Sequence, residues 1–218
     1  MDREKILIFD MDGVVLDSEP LHQRAREMMY EKYGVKPLDC FPDPVGKSSR
    51  LFWETVADIC GMAWDSKQME DEQFSRVAEQ VETGLVPVTE GLLEVLGQAE
   101  EEGIKTGLAT SSDRAMVERV LRALGIIQHF DIIVTGDEVA NKKPFPDVYE
   151  RVLEIAGISP GRAAAVEDSS AGVEAAKNAG IYCYGYRNET SGEQNLEKAD
   201  RVVGNLRDVG EFCTNSKS

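Results

Sequence analysis

Lys5-Ile6-Leu7-Ile8-Phe9-Asp10-Met11-Asp12-Gly13 is the stretch on which the reading of this chain turns. Its apolar run is too short for a helix and is cut off by Asp and Gly, residues that favour tight turns. It therefore reads as a buried strand meeting a turn. A strand apolar at successive positions is covered on both faces, as in a parallel sheet. Similar runs recur at Ile104 to Ala109, Asp131 to Thr135, Ala163 to Val166 and Ile181 to Tyr186. Helical patterns lie between them, at Gly91 to Glu102, Ala115 to Leu124, Asp147 to Ala156 and Ala171 to Ala179. Strands alternating with helices predict an α/β fold, a Rossmann-like parallel sheet wrapped on both faces.

The alternation stops between Leu16 and Val86. Helical patterns alone occupy that stretch, at Leu21 to Tyr33, Leu51 to Cys60 and Ser66 to Glu82, and it holds both tryptophans, Trp53 and Trp64. The expectation is a core domain of residues 1–17 and 87–218 with an inserted all-helical cap domain of residues 18–86. Hinges are expected near Ser18-Glu19-Pro20 and Val86-Pro87. Sheets of this class place ligands at the carboxyl ends of their strands, so an insert leaving the end of strand 1 sits above the site as a lid.

Composition bounds the partners. The 218 residues carry 24 basic and 40 acidic side chains, a net charge of −16. That charge argues against nucleic acid and against an anionic membrane, both of which call for fields of Lys and Arg. No apolar run approaches the roughly 20 residues of a bilayer span. The amino-terminal residues lead straight into a strand with no cleavable signal pattern, so the expected location is cytoplasmic. Cys40, Cys60, Cys183 and Cys213 form no C-x-x-C pair, and neither a zinc site nor a disulfide framework is expected.

Four polar clusters follow four successive candidate strands: Asp10-x-Asp12-Gly13, Thr110-Ser111-Ser112, Lys142-Lys143-Pro144 and Glu167-Asp168-Ser169. Parallel strands bring such clusters to one edge of the sheet. Asp10, Asp12, Glu167 and Asp168 would crowd carboxylates together, and like charges so close call for a cation. Hard oxygen ligands suit Mg²⁺, which binds through a few carboxylates together with substrate phosphate. A lysine, a hydroxyl and free turn amides beside them supply donors for phosphate oxygens. The set suits phosphoryl transfer to a carboxylate nucleophile. Each cluster also has a plain reading: Asp12-Gly13 as a turn, Thr110 to Asp113 and Glu167-Asp168 as helix caps, and Lys142-Lys143 as a solvated pair.

Asp10-Met11-Asp12-Gly13-Val14-Val15-Leu16-Asp17-Ser18 resembles the first motif of the haloacid dehalogenase-like superfamily. Thr110-Ser111-Ser112, Lys143-Pro144-x-Pro146-Asp147 and Glu167-Asp168-Ser169-x-Ala171-Gly172 resemble its second, third and fourth. The helical insert resembles the cap of the β-phosphoglucomutase-like branch, which includes sugar-phosphate phosphatases. The resemblance implies Asp10 as nucleophile, and Asp12 as the acid that protonates the leaving oxygen and then the base for water. It implies Thr110 and Lys143 as holders of the phosphoryl group. The implied cofactor is Mg²⁺, with Asp168, Asp10 and the Asp12 carbonyl as ligands and Glu167 beside them. A leaving alcohol needs a proton and a leaving halide does not, so Asp12 favours phosphate esters. The implied partner is a small phosphorylated metabolite, a sugar phosphate, bound by a monomer.

Substrate contacts are expected from Ser111, Ser112 and Arg114 after the second motif, and from His22, Lys47, Ser48 and Arg50 in the insert. Gly46-Lys47-Ser48 ends like a phosphate-binding P-loop, but the glycine required at position 41 is Phe41. A lone helical histidine such as His22 is equally a structural residue. The motifs leave two activities open, a phosphatase and a β-phosphoglucomutase. Asp113, beside Arg114, would repel the second phosphate that a mutase must grip, and it tilts the reading toward the phosphatase. A phosphorylated receiver domain is much shorter and has no insert. A catalytically silent binding protein has no use for both Asp10 and Asp12.

Overall fold

The computed structural model describes residues 4–45, 48–84 and 86–214. Six parallel strands form its sheet: β1 (Ile6–Phe9), β2 (Lys105–Ala109), β3 (Ile132–Val134), β4 (Ala163–Glu167), β5 (Tyr182–Tyr186) and β6 (Arg201–Val203). Their order is β3-β2-β1-β4-β5-β6. β1 lies in the middle, paired Phe9 to Leu108 on one side and Phe9 to Val166 on the other. The chain order reverses between β1 and β4, so a crevice opens beyond their carboxyl ends.

The alternation of side chains along β1 divides the core in two. Leu7 and Phe9 join a cluster with α4 (Leu92–Glu101) and α5 (Arg114–Ala123). Ile6 and Ile8 face α6 (Asp147–Ala156) and α7 (Ser170–Asn178) on the opposite side. All four β1 residues are fully buried, which explains the unbroken apolar run.

Three helices precede α4: α1 (Glu19–Tyr33), α2 (Ser49–Cys60) and α3 (Ser66–Thr83). Met29, Phe52, Trp53, Val56 and Met69 make a small cluster of their own, with Trp64 packed against it. The two indole rings meet edge-on at 6.3 Å, so both tryptophans pack helices. Phe74, Val77 and Val81 of α3 instead join the large cluster over the sheet. Glu82 of α3 pairs with Arg119 of α5 at 2.8 Å.

The elements depart from the sequence reading at their edges. α1, expected from Leu21, begins at Glu19, with Ser18 as its cap and Pro20 in its first turn. Proline has no N–H to lose there, so the helix begins before it rather than after. β6 had no signal, being three residues long with two of them exposed. The expected frayed tail begins at Thr214, which closes α8 (Glu211–Thr214); residues 215–218 lie outside the described residues.

Candidate active site

The ladder of β1 continues one residue past its end, with the Asp10 N–H donating to the carbonyl of Val166 at 3.0 Å. The carboxylate of Asp10 is thereby held over the carboxyl edge of the sheet. The chain then turns sharply, and the Gly13 N–H donates to the Leu16 carbonyl at 2.9 Å. Met11, Val14, Val15 and Leu16 are all buried and pin this turn. At the end of β2, the Thr110 N–H donates to the Val134 carbonyl at 3.2 Å, and the Thr110 hydroxyl accepts from the Ser112 N–H at 3.1 Å.

Lys143 reaches the same edge along the loop between β3 and α6. Its ammonium donates to Oδ1 of Asp10 and to the carbonyl of Ala109, each at 2.8 Å. It also lies 2.6 Å from Oε1 of Glu167, a residue with no exposed surface. The hydroxyl of buried Tyr149 donates to the same Glu167 oxygen. Asp168 accepts from the hydroxyl of Ser191. Carboxylate oxygens of Asp10, Glu167 and Asp168 all lie within 4.8 Å of one another.

Three carboxylates thus face one ammonium in a buried space. Burial raises Asp10, and neighbouring Asp12 adds to that, against the pull of Lys143. Burial together with Asp10 pushes Glu167 up to about 8 and Asp168 up to about 7. Lys143 is held firmly charged, because Asp10 and Glu167 outweigh the burial that works against its charge. Oε2 of Glu167 is buried without a hydrogen bond. An acidic set with excess negative charge and an unsatisfied oxygen is the donor chemistry of a hard divalent cation.

Asp12 behaves differently. Burial would raise it, but His22 and the hydroxyls of Ser18 and Ser112 hold its carboxyl below the usual range. Ser112 donates to Oδ2 of Asp12 at 2.8 Å, and Nε2 of His22 stands 3.7 Å from Oδ1. These residues line a cavity of about 270 Å³ between the sheet edge and helices α1 and α3. Arg26, paired with Glu19 at 2.6 Å, and buried Glu70 line its wall as well.

A family model described as haloacid dehalogenase-like hydrolase matches residues 7–186, which spans every one of these groups except Ser191. The chain belongs to the haloacid dehalogenase-like hydrolases. It is 36% identical over 177 residues to the phosphorylated carbohydrates phosphatase of Thermotoga maritima, covering 80% of this chain and 81% of that protein. It is 31% identical over 213 residues to the β-phosphoglucomutase of Bacillus subtilis, covering 94% and 91%. The structure of CbbY from Rhodobacter sphaeroides in complex with xylulose-(1,5)bisphosphate superimposes with a TM-score of 0.81 at 26% identity, covering 94% of this chain and 96% of that one.

In this haloacid dehalogenase-like hydrolase the residues singled out by sequence fall into distinct places. Asp10, Asp12, Thr110, Lys143 and Asp168 meet at the cavity, with Ser111, Ser112, His22 and Ser48 on its walls. Glu167 lies beneath it, fully buried. Arg114 does not face the cavity: its guanidinium donates to the Ile133 carbonyl at 2.7 Å and to Glu138 at 2.5 Å, which turns it outward along β3. Arg50 is exposed on α2 and is not among the residues lining the cavity, whereas Ser49 beside it is. Lys47 lies outside the described residues.

Asp113 corrects a further expectation. It does not line the cavity, and its carboxylate accepts from Lys67 of α3 at 3.0 Å, with Lys142 3.8 Å away. Lys67 is shared with Asp71, but Asp113 stands off the cavity wall with two lysines beside it, so its charge gives no ground for rejecting a second phosphate. Tyr149, Ser191 and Gln73 had no signal of their own in the sequence. A buried tyrosine on an amphipathic helix reads as packing, and the other two are ordinary polar positions.

Proposed function

We propose that this chain is a Mg²⁺-dependent phosphatase of small phosphorylated metabolites, sugar phosphates in particular. The carrying observation is the Asp10 carboxylate paired with Lys143 and close beside that of Asp168, while Asp12 faces the same cavity. Asp10 attacks phosphorus in line and becomes an aspartyl phosphate, and the ester's alcohol leaves on the opposite side. Lys143 and Thr110 hold the phosphoryl oxygens, and Lys143 stabilises charge that grows on them. Asp12 gives a proton to the leaving oxygen and later takes one from the attacking water. The substrate's own negative charge raises Asp12 toward its protonated form as it binds.

Asp10, Asp168 and the carbonyl of Asp12 would hold Mg²⁺, with Glu167 beside them. The ion supplies neutralising charge for the phosphoryl group and the crowded carboxylates. The unsatisfied Oε2 of Glu167 supports that assignment. Residues 18–86 act as the cap, with α1 and α3 presenting His22, Arg26 and Glu70 to the substrate. Closure of such a cap excludes bulk water during transfer. The similarity to a phosphorylated carbohydrates phosphatase supports the substrate class.

A β-phosphoglucomutase is the second reading, favoured by the 31% identity to that enzyme over 94% of this chain. The same residues would then return the phosphoryl group to the sugar instead of to water. Phosphate release from a panel of sugar phosphates, run beside conversion of β-glucose 1-phosphate to glucose 6-phosphate, separates the two. Asp10→Asn abolishes turnover in either case; substantial activity remaining in that variant would rule out the proposed nucleophile.

A further inference from the structure

A chain of three side chains in the helical insert ends at Asp12. The Trp53 indole N–H on α2 donates to Oε1 of Gln73 on α3 at 2.7 Å. The Gln73 amide nitrogen lies 2.9 Å from Nδ1 of His22 on α1 and 3.4 Å from the hydroxyl of Ser49. Nε2 of His22 stands 3.7 Å from Oδ1 of Asp12, an oxygen buried without a hydrogen bond. Gln73 and Trp53 are each 1% exposed, so bulk water does not compete for the contact between them, while His22, 8% exposed, meets Asp12 at the cavity wall.

The direction of this chain follows from donor chemistry alone. An indole N–H only donates. The Gln73 atom that meets it must therefore be the carbonyl oxygen, which removes the ambiguity over which end of the amide is which. The NH₂ group is left facing His22 and Ser49, with two hydrogens for two acceptors. An Nδ1 that accepts carries no proton, so the single proton of the neutral ring sits on Nε2. We propose that Gln73, oriented by Trp53, is a positioning residue that locks His22 in its Nε2–H tautomer and so aims a donor at Asp12 and the leaving oxygen beside it.

This inference rests on the proposed role of Asp12 in transfer. The aimed donor orients the Asp12 carboxyl and shares the leaving oxygen as it departs. All three relay residues belong to α1–α3 and meet Asp12 only where the insert packs over the sheet edge. The relay thus ties packing inside the insert to proton transfer on the core.

Nitrogen-15 spectra of the histidine-labelled full chain with Mg²⁺ present test the tautomer. They are recorded at about pH 8.5, roughly two units above an ordinary imidazole pKa. The chain has 2 histidines, so His129→Asn assigns His22. The expected spectrum shows a protonated Nε2 and an unprotonated Nδ1. Gln73→Glu places an acceptor against Nδ1 and is expected to put a proton there. Trp53→Phe keeps an aromatic ring but frees the amide, and is expected to give a mixture of tautomers. A wild-type ring protonated at Nδ1, or already mixed, overturns the proposal.

Kinetics supply the second readout. kcat/KM for an alkyl phosphate, whose leaving group needs a proton, should fall about tenfold further in Gln73→Leu than kcat/KM for p-nitrophenyl phosphate. An equal fall for both esters reduces Gln73 to a packing residue and overturns the positioning role. A wild-type chain inert toward both esters would instead fail the phosphatase reading, which the spectra do not depend on.

Discussion

A Cβ on Gly13 would stand 1.8 Å from Oδ2 of Asp168, so the turn after β1 and the carboxylate after β4 share one space. Gly13 also sits at φ +77°, where a side chain is strained. Gly13→Ala therefore drives Asp168 from its place as well as straining the turn by about 1–2 kcal/mol. The expected variant folds, with a circular dichroism spectrum like the wild type, but loses nearly all turnover and binds Mg²⁺ far more weakly. Full activity in a folded Gly13→Ala would show that Asp168 is not needed where it stands.

Lys143 is the cation between Asp10 and Glu167, and its side chain is only 6% exposed. Lys143→Met leaves two buried carboxylates facing each other. Removing one partner of a buried pair costs about 3–5 kcal/mol. Loss of the Lys143 charge from its proposed role at the transferring phosphoryl should lower kcat by about 10²–10³ or more. Urea denaturation and phosphate release measure the two effects separately. Unchanged stability would mean that the carboxylates are not held together by this lysine.

Asp168 and Glu167, raised from 3.8 and 4.5 to about 7 and about 8, fix the sign of a pH effect. Between those limits the folded state binds more protons than the unfolded one. Without a divalent cation, this cluster therefore makes stability fall as pH rises through that window. Metal-free Asp168→Asn should lose less stability than wild type between about pH 5 and pH 8. Added Mg²⁺ should raise the wild-type Tm more at about pH 8 than at about pH 5, since in the proposed site proton and metal would compete for the same oxygens. A Tm gain independent of pH would place metal binding elsewhere.

Tyr149 donates to Glu167 from a fully buried position below the cavity. Tyr149→Phe keeps the ring and removes one donor from an oxygen that Lys143 still reaches, at a cost of about 1 kcal/mol. Turnover should suffer far less than in Lys143→Met, since Tyr149 is not among the residues lining the cavity. A loss of turnover as deep as that of Lys143→Met would give Tyr149 a direct part in the chemistry.

Much of this site was legible in the sequence. Buried strands announce themselves as short apolar runs, and the turns after β1 and β2 as Asp-Gly and Thr-Ser clusters, because both signals are local to a few residues. The parallel order of the strands then carries Asp10, Thr110 and Asp168 to one edge without knowledge of any side chain. Lys143 was legible only as part of a motif. It lies well beyond β3 and meets Asp10, 133 residues away, through the path of a loop.

Other roles were decided only in three dimensions. Arg114 follows the second motif as a phosphate contact should, yet Glu138 and the Ile133 carbonyl claim its guanidinium and turn it away. Asp113 reads as a repulsive charge until Lys67, 46 residues earlier, is found beside it. Gln73 is one glutamine among several until Trp53 fixes its amide and hands its nitrogen to His22. Composition, periodicity, turn chemistry and motif order act along the chain, so sequence alone determined five of the six strands, the edge that carries the motifs and the class of reaction. The direction of a long side chain depends on which partner reaches it first across the fold, and only the packed structure decides that.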